Sequence, residues 1–210
     1  MPLAGLTVPD TALVRDAIEL SRNSLEPYLF NHVMRSWLFG VVLSLGAKPA
    51  PDPELLALSV VLHDLGLSDR YAAADRFEVD GANAARDFLR SHGISQTDID
   101  TVWTAIALHT TPGIPQHMHP VVALVTAGVE MDVLGLSYAE YSDAEREAVV
   151  RAHPRPQHFK EDIIQAFYDG IKHKPETTFG NVKADVLADK DPHFHRGNFC
   201  SVIRGSAWRG

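Results

Sequence analysis

Apolar residues recur along this chain at three- and four-residue spacing between cap signals, and no run alternates with period two. Such a chain buries itself as packed helices. Leu13, Ala17, Ile18 and Leu20 set the pattern over residues 9–22. A second helix is expected from Ser24, read as its N-cap, to Leu45, with Pro27 tolerated in the first turn and Gly46 beyond the end. Asp52, Pro53 and Glu54 supply a cap, a first-position proline and an early acid, opening a third helix to about Leu65 with Gly66 marking its end. Residues 79–91, stopped by Gly93, make a fourth; Ser95 with Asp98 opens a fifth that ends near His109; a sixth follows Pro120 through Val133. Ser142 with Glu145 caps a seventh, 158–172 give an eighth and 177–188 a ninth, before a tail that reads as irregular. The expectation is an all-α fold of about eight to nine helices, one domain over residues 1–210 with its core at about 20–190. The proline-rich stretches at 49–53 and 154–156 read as interhelix loops.

Composition limits the function classes. At 210 residues and 45% hydrophobic content the chain can bury one well-formed core. A net charge of -8, without a clustered Lys/Arg stripe, argues against nucleic acid as a partner. The single cysteine, Cys200, excludes a disulfide framework within the chain and any thiolate cluster, so a metal here must be held by nitrogen and oxygen. The segment MPLAGLTVPD lacks a cationic start followed by an apolar stretch, and no apolar run approaches about 18 residues. A soluble, cytoplasmic protein with no membrane partner is therefore expected, with homo-oligomerisation left open.

The third helix carries an anomaly. His63-Asp64 closes the apolar run LLALSVVLHDLG, where an ionisable pair has no packing role, and a buried charge costs several kcal/mol unless it is paired or coordinates a metal. Candidate partners lie on both sides: His32 in FNHVMRS and Asp132 in GVEMDVLG. These four residues come from three helices, which is how metal sites in helical folds are built. Two imidazoles and two carboxylates suit zinc first, with ferrous iron and manganese as alternatives. Each residue also has a bland reading, as a satisfied core histidine or a capping aspartate.

The order His32, His63-Asp64, Asp132 resembles the signature of the HD-domain superfamily of helical metal-dependent hydrolases. Within it the chain is similar to the cyanamide hydratase-like branch, on NHVMRSWLFG (31–40), LHDLG (62–66), RFEVDGA (76–82), AIALHTTPGI (105–114), DVLG (132–135) and NVKADVLADKDPHF (181–194). The resemblance implies one divalent metal held by His32, His63, Asp64 and Asp132. It also implies a small-molecule substrate: water activated by the metal adds to a small nitrile such as cyanamide, giving urea. Leu67 stands where phosphodiesterase members of the superfamily carry a lysine after Ile-Gly, and where small nucleotide phosphatases carry a glutamate. The extra histidines of dinuclear members are missing, which implies a mononuclear site.

Other residues take roles around that site. Asp64, Glu78 and His109 are candidates to relay the proton that the developing anionic nitrogen requires, against readings of Glu78 and His109 as helix-end residues favouring the dipole. Thr110 and Thr111 are candidate substrate contacts, although threonines at helix ends usually satisfy backbone groups. Arg35, three residues after His32 on nearly the same helical face, either orients a carboxylate or binds a substrate anion. Trp37, Phe39, Phe77 and Trp103 read as core or pocket wall. His92, beside Gly93, reads as a solvated helix-end residue, and the pairs His117/His119 and His193/His195 as chance neighbours among 11 histidines. Two alternatives remain: a phosphohydrolase, disfavoured by the scarcity of cations beside the motifs, and a non-catalytic metal-binding domain.

Overall fold

The computed structural model describes residues 2, 3 and 6–207. Among these the chain is carried by ten α-helices: α1 (Ala12–Ser24), α2 (Pro27–Ser44), α3 (Pro53–Val61), α4 (Phe77–Ser91), α5 (Gln96–Leu108), α6 (Pro120–Leu134), α7 (Asp143–Ala152), α8 (Phe159–Ile171), α9 (Lys183–Lys190) and α10 (Phe199–Arg204). Two-residue strands, β1 (Pro2–Leu3) and β2 (Leu6–Thr7), pair antiparallel ahead of α1. The all-α expectation holds. No helix is long and apolar enough to cross a membrane among the described residues.

Several helix ends follow the sequence signals closely. The Asp52 side chain accepts from the backbone N–H groups of Glu54 and Leu55, Ser142 and Glu145 close a reciprocal capping box, and Gly135 ends α6 at φ 70. Several details differ. The third helix stops at Val61 rather than near Leu65, and a 3-10 turn over Leu65–Leu67 follows it. Ser24 is the last residue of α1, its hydroxyl turned back to the Leu20 carbonyl at 2.8 Å. Pro27 disfavours helical backbone at Glu26, so the cap falls there and α2 begins at the proline. The ninth helix starts only at Lys183, because Gly180 takes a left-handed turn at φ 73 after a 3-10 turn over Pro175–Thr178. The tail contains α10, and the core reaches back to Val8 and Val14, before the expected start.

Two close backbone approaches position the functional side chains. On α6, a Cβ added to Gly128 would lie 2.3 Å from the Ser36 carbonyl oxygen of α2. A Cβ on Gly40 would lie 3.4 Å from the Leu124 carbonyl oxygen. Position 40 thus faces 124 and position 36 faces 128, an antiparallel register that sets His32 opposite Asp132 one turn further on. At position 128 only a residue without a side chain permits this spacing.

Gly66 does a second job of the same kind. Its φ is not left-handed, so it is no helix C-cap; instead a Cβ there would meet the Phe77 carbonyl at 1.9 Å and the Gly81 nitrogen at 2.7 Å. The LHDLG and RFEVDGA segments therefore touch through their glycines. That contact seats the turn after α3 against the first turn of α4. Leu67, next along, packs on Gly170 of α8 and bridges the main core to a smaller cluster of Phe77, Ile171 and Leu187. A buried ion pair, Lys174 Nζ to Asp80 at 2.6 Å, ties the segment after α8 to α4.

Candidate metal centre

Four ionisable side chains meet at one buried point, none more than 2% exposed: His32 from α2, His63 and Asp64 from the turn after α3, and His109 from the end of α5. Hydrogen bonds fix the ring tautomers. His63 Nδ1 lies 2.7 Å from the Val60 carbonyl and His109 Nδ1 lies 2.6 Å from the Ile106 carbonyl. A carbonyl only accepts, so each Nδ1 carries the proton and each neutral ring keeps its lone pair on Nε2. His32 Nδ1 donates in the same way to Asp132 Oδ2 at 2.7 Å.

All three Nε2 atoms face Asp64. The distances to its carboxylate are 3.6 Å from His32, 3.2 Å from His63 and 3.6 Å from His109. Yet both Asp64 oxygens and His63 Nε2 are buried without a hydrogen-bond partner. An anion surrounded by lone pairs is electrostatically incomplete, and a buried polar atom left unpaired costs about 1–3 kcal/mol. Protons relieve this only partly: against the penalty of burial, Asp64 holds His63 above its ordinary value, while His63, His32 and His109 hold Asp64 well below the usual carboxylate range. A cation would meet a lone pair on His32, on His63 and on Asp64 together. His32, His63 and Asp64 each offer a ligand atom, all within 4.8 Å of one another, and this group can hold a metal ion.

Asp132, expected as a fourth ligand, lies outside that group. Its Oδ2 accepts from His32 Nδ1 and from Arg35 Nη2 at 2.8 Å, and its Oδ1 accepts from Arg35 Nε at 2.7 Å. The α2–α6 register puts the carboxylate against the Nδ1 edge of the imidazole, and the guanidinium fork takes the remaining acceptor positions. Although burial opposes it, His32 and Arg35 hold the Asp132 carboxyl at about 2. Asp132 holds the His32 ring, in the position that carboxylates take behind metal-bound histidines. Arg35 is equally committed: beyond Asp132 it donates to the Pro154 carbonyl at 3.0 Å and its guanidinium lies over the Phe159 ring at 4.8 Å.

The proton-relay candidates separate by environment. Glu78 Oε1 accepts from the Thr110 hydroxyl, from Arg76 at 3.0 Å and from Lys183 Nζ at 3.1 Å. Burial works to raise its pKa, but Lys183, His109 and Arg76 hold it at about 2, so Glu78 stays ionised at neutral pH. The His109 pKa is lowered as well, which for an imidazole favours the neutral form. Burial and the neighbouring His63 push it down to about 3, leaving a neutral ring with an accepting Nε2 beside Asp64. Lys183, in the NVKAD segment, carries no local signal that marks it as part of the site; it is 3% exposed and sits over the rings of Phe77 and Phe167.

Two cavities adjoin Thr110. A small one of about 220 Å³ is lined by His109, Thr110, Val129, Phe167 and Lys183. An outer one of about 890 Å³ is lined by Arg76, Thr110, Thr111 and the tail residues His193 and His195. The Thr111 hydroxyl is buried without a partner. His92 caps α4 at the surface, His117 is exposed in a 3-10 turn, and the His119 side chain accepts from the Val121 N–H at the start of α6. Trp37 and Phe39 are core; Trp103 is partly buried, with Nε1 donating to Asn83 at 3.0 Å.

No protein-family model matches the chain, and a search of curated proteins finds no match.

Proposed function

We propose that this chain is a metal-dependent hydratase of the HD-domain type, acting on a small nitrile such as cyanamide and giving urea. The observation that carries the proposal is the Asp64 carboxylate, buried and unpartnered, with three imidazole Nε2 atoms turned towards it. His32, His63 and Asp64 fit zinc, with ferrous iron and manganese also suited to imidazole and carboxylate donors. When bound, such an ion lowers the pKa of a coordinated water to about 7, so that a nucleophile exists at neutral pH.

The chain's own residues supply the rest. His109, neutral and accepting through Nε2, takes a proton from water as the oxygen–carbon bond forms, and returns it to the nitrile nitrogen. One O–H bond breaks, one C–O and one N–H bond form, and one of the two carbon–nitrogen π bonds opens, giving isourea; its remaining hydroxyl proton then moves to the imino nitrogen, and the C=O of urea replaces the C=N. Glu78 does not exchange protons in this scheme, since Lys183 and Arg76 fix its charge; it holds the Thr110 hydroxyl at the cavity edge. The cavity beside His109, at about 220 Å³, suits a substrate of a few heavy atoms. Arg35, Arg76 and Lys183 are each bonded to a carboxylate, which favours an uncharged substrate over a phosphomonoester.

The test is incubation of metal-replete protein with cyanamide and assay for urea, with a panel of phosphomonoesters run alongside. Urea formation that is lost in His63→Ala and reduced at least a hundredfold in His109→Gln is expected. No urea above the His63→Ala background, or turnover confined to phosphomonoesters, rules the substrate out.

A further inference from the structure

A cavity of about 770 Å³ opens between the end of α6 and the segment from α7 to α8, with Asp132 in its lining. Phe39, Leu134 and Val150 make part of its wall apolar, and Arg151, Arg155 and Lys160 make another part cationic. None of these three cations is ion-paired among the described residues, in a chain whose net charge is -8. Arg151 and Lys160 are exposed, and a solvated charge alone needs no partner.

Arg155 is different. It is half-buried, its guanidinium lies over the Phe159 ring at 4.2 Å, and Nη2 donates to the Asp132 carbonyl oxygen at 3.1 Å. Among the described residues that is its one hydrogen bond, so four N–H donors have no protein acceptor there while the stacking fixes their plane. Neither lining carboxylate forms an ion pair with it, although the Asp132 charge is near enough to favour the guanidinium. Asp132 is taken by His32 and Arg35, and Glu147 is exposed and forms no ion pair among the described residues. A guanidinium held flat, partly desolvated and unpaired, beside two further cations and an apolar wall, is built to receive an oxyanion.

We propose that this cavity binds a small ligand carrying a carboxylate or phosphate on a short apolar body, with Arg155 as its anchor and Arg151 and Lys160 contributing charge. The site adjoins the metal centre through Asp132 but does not rest on the hydratase reading.

Calorimetric titration of the full-length, metal-loaded protein tests this, with phenyl phosphate, benzoate and inorganic phosphate as probes at constant ionic strength in chloride. Saturable one-to-one binding of phenyl phosphate or benzoate, weakened at least tenfold in Arg155→Met with metal content unchanged, is expected. Tighter binding of phenyl phosphate assigns the natural head group to phosphate, and tighter binding of benzoate assigns it to carboxylate. The surface double variant Arg151→Gln/Lys160→Gln, which keeps the Phe159 stacking intact, weakens binding at least threefold and serves should Arg155→Met fail to fold. Absence of saturable binding, or affinity unchanged in these variants, overturns the proposal.

Discussion

His32 Nδ1 donates to the Asp132 carboxylate at 2.7 Å, so the imidazole presents Nε2 to Asp64 while its far edge is held by an aspartate that Arg35 holds in turn. The chain of Arg35, Asp132 and His32 fixes the His32 ring from behind. Asp132→Asn is therefore expected to keep the capacity for one metal ion and to lower its affinity about 10–100-fold. Competition with a chelator of known affinity measures this. Complete loss of binding would return Asp132 to the ligand set.

Lys183 and Glu78 form a buried pair whose members respond unequally to burial: Glu78 sits at about 2, whereas Lys183 is pushed below its ordinary value despite the carboxylate. The pair adds little net stability, but breaking it strands a charge. Lys183→Met should cost about 3–5 kcal/mol, and adding Glu78→Gln should recover most of that loss. Urea denaturation of the two single variants and the double variant closes the cycle. Additive losses would show that the pair is not coupled.

Register between α2 and α6 depends on Gly128. With a Cβ 2.3 Å from the Ser36 carbonyl, Gly128→Ala must push the helices apart where His32 meets Asp132. A stability loss at the upper end of about 1–3 kcal/mol is expected, together with weakened metal binding. Val129→Ala, on the same helix, should lower stability while leaving metal affinity within about twofold. Denaturation and metal titration on both variants separate the two effects.

His153 gives the acid limb a specific contributor. Burial, with Arg35 and Arg22 nearby, depresses its pKa from 6.5 to about 4, so the folded state holds the ring neutral while the unfolded chain protonates it. Its contribution to stability is complete above 6.5 and is lost as pH falls towards 4. After allowance for solvent screening this is on the order of 1–2 kcal/mol. Stability measured at pH 7 and pH 4 should fall by that much more in the parent chain than in His153→Gln. Equal falls would assign the acid loss elsewhere.

Local signals carried the fold a long way. Asp52-Pro53, the Ser142/Glu145 box and Gly135 each act within one helical turn, and each marks a real helix end. Ser24 misled because a serine can equally return its hydroxyl to the preceding turn, as it does to Leu20. His63-Asp64 was legible as an anomaly, since charge beside an apolar run demands a partner. Which atom of each partner faces inward was not legible, because spacing along a helix does not give the ring edge that meets Asp132. Lys183 was hidden for a related reason. It lies 105 residues from Glu78 in a helix with many polar neighbours, and only tertiary packing turns it inward. Leu67 shows the converse: read as a substitution within the reaction site, it packs on Gly170 of α8.

The central claim is that His32, His63 and Asp64 hold one metal ion, and metal analysis of the purified protein tests it most directly. Zinc, ferrous iron and manganese are offered in turn to the parent chain and to His32→Ala, His63→Ala, Asp64→Ala and Glu78→Gln. One equivalent per chain in the parent and in Glu78→Gln, with less than a tenth of an equivalent in the three alanine variants, is the predicted result. A parent chain that takes up none of the three ions, or an Asp64→Ala variant that keeps a full equivalent, would contradict it.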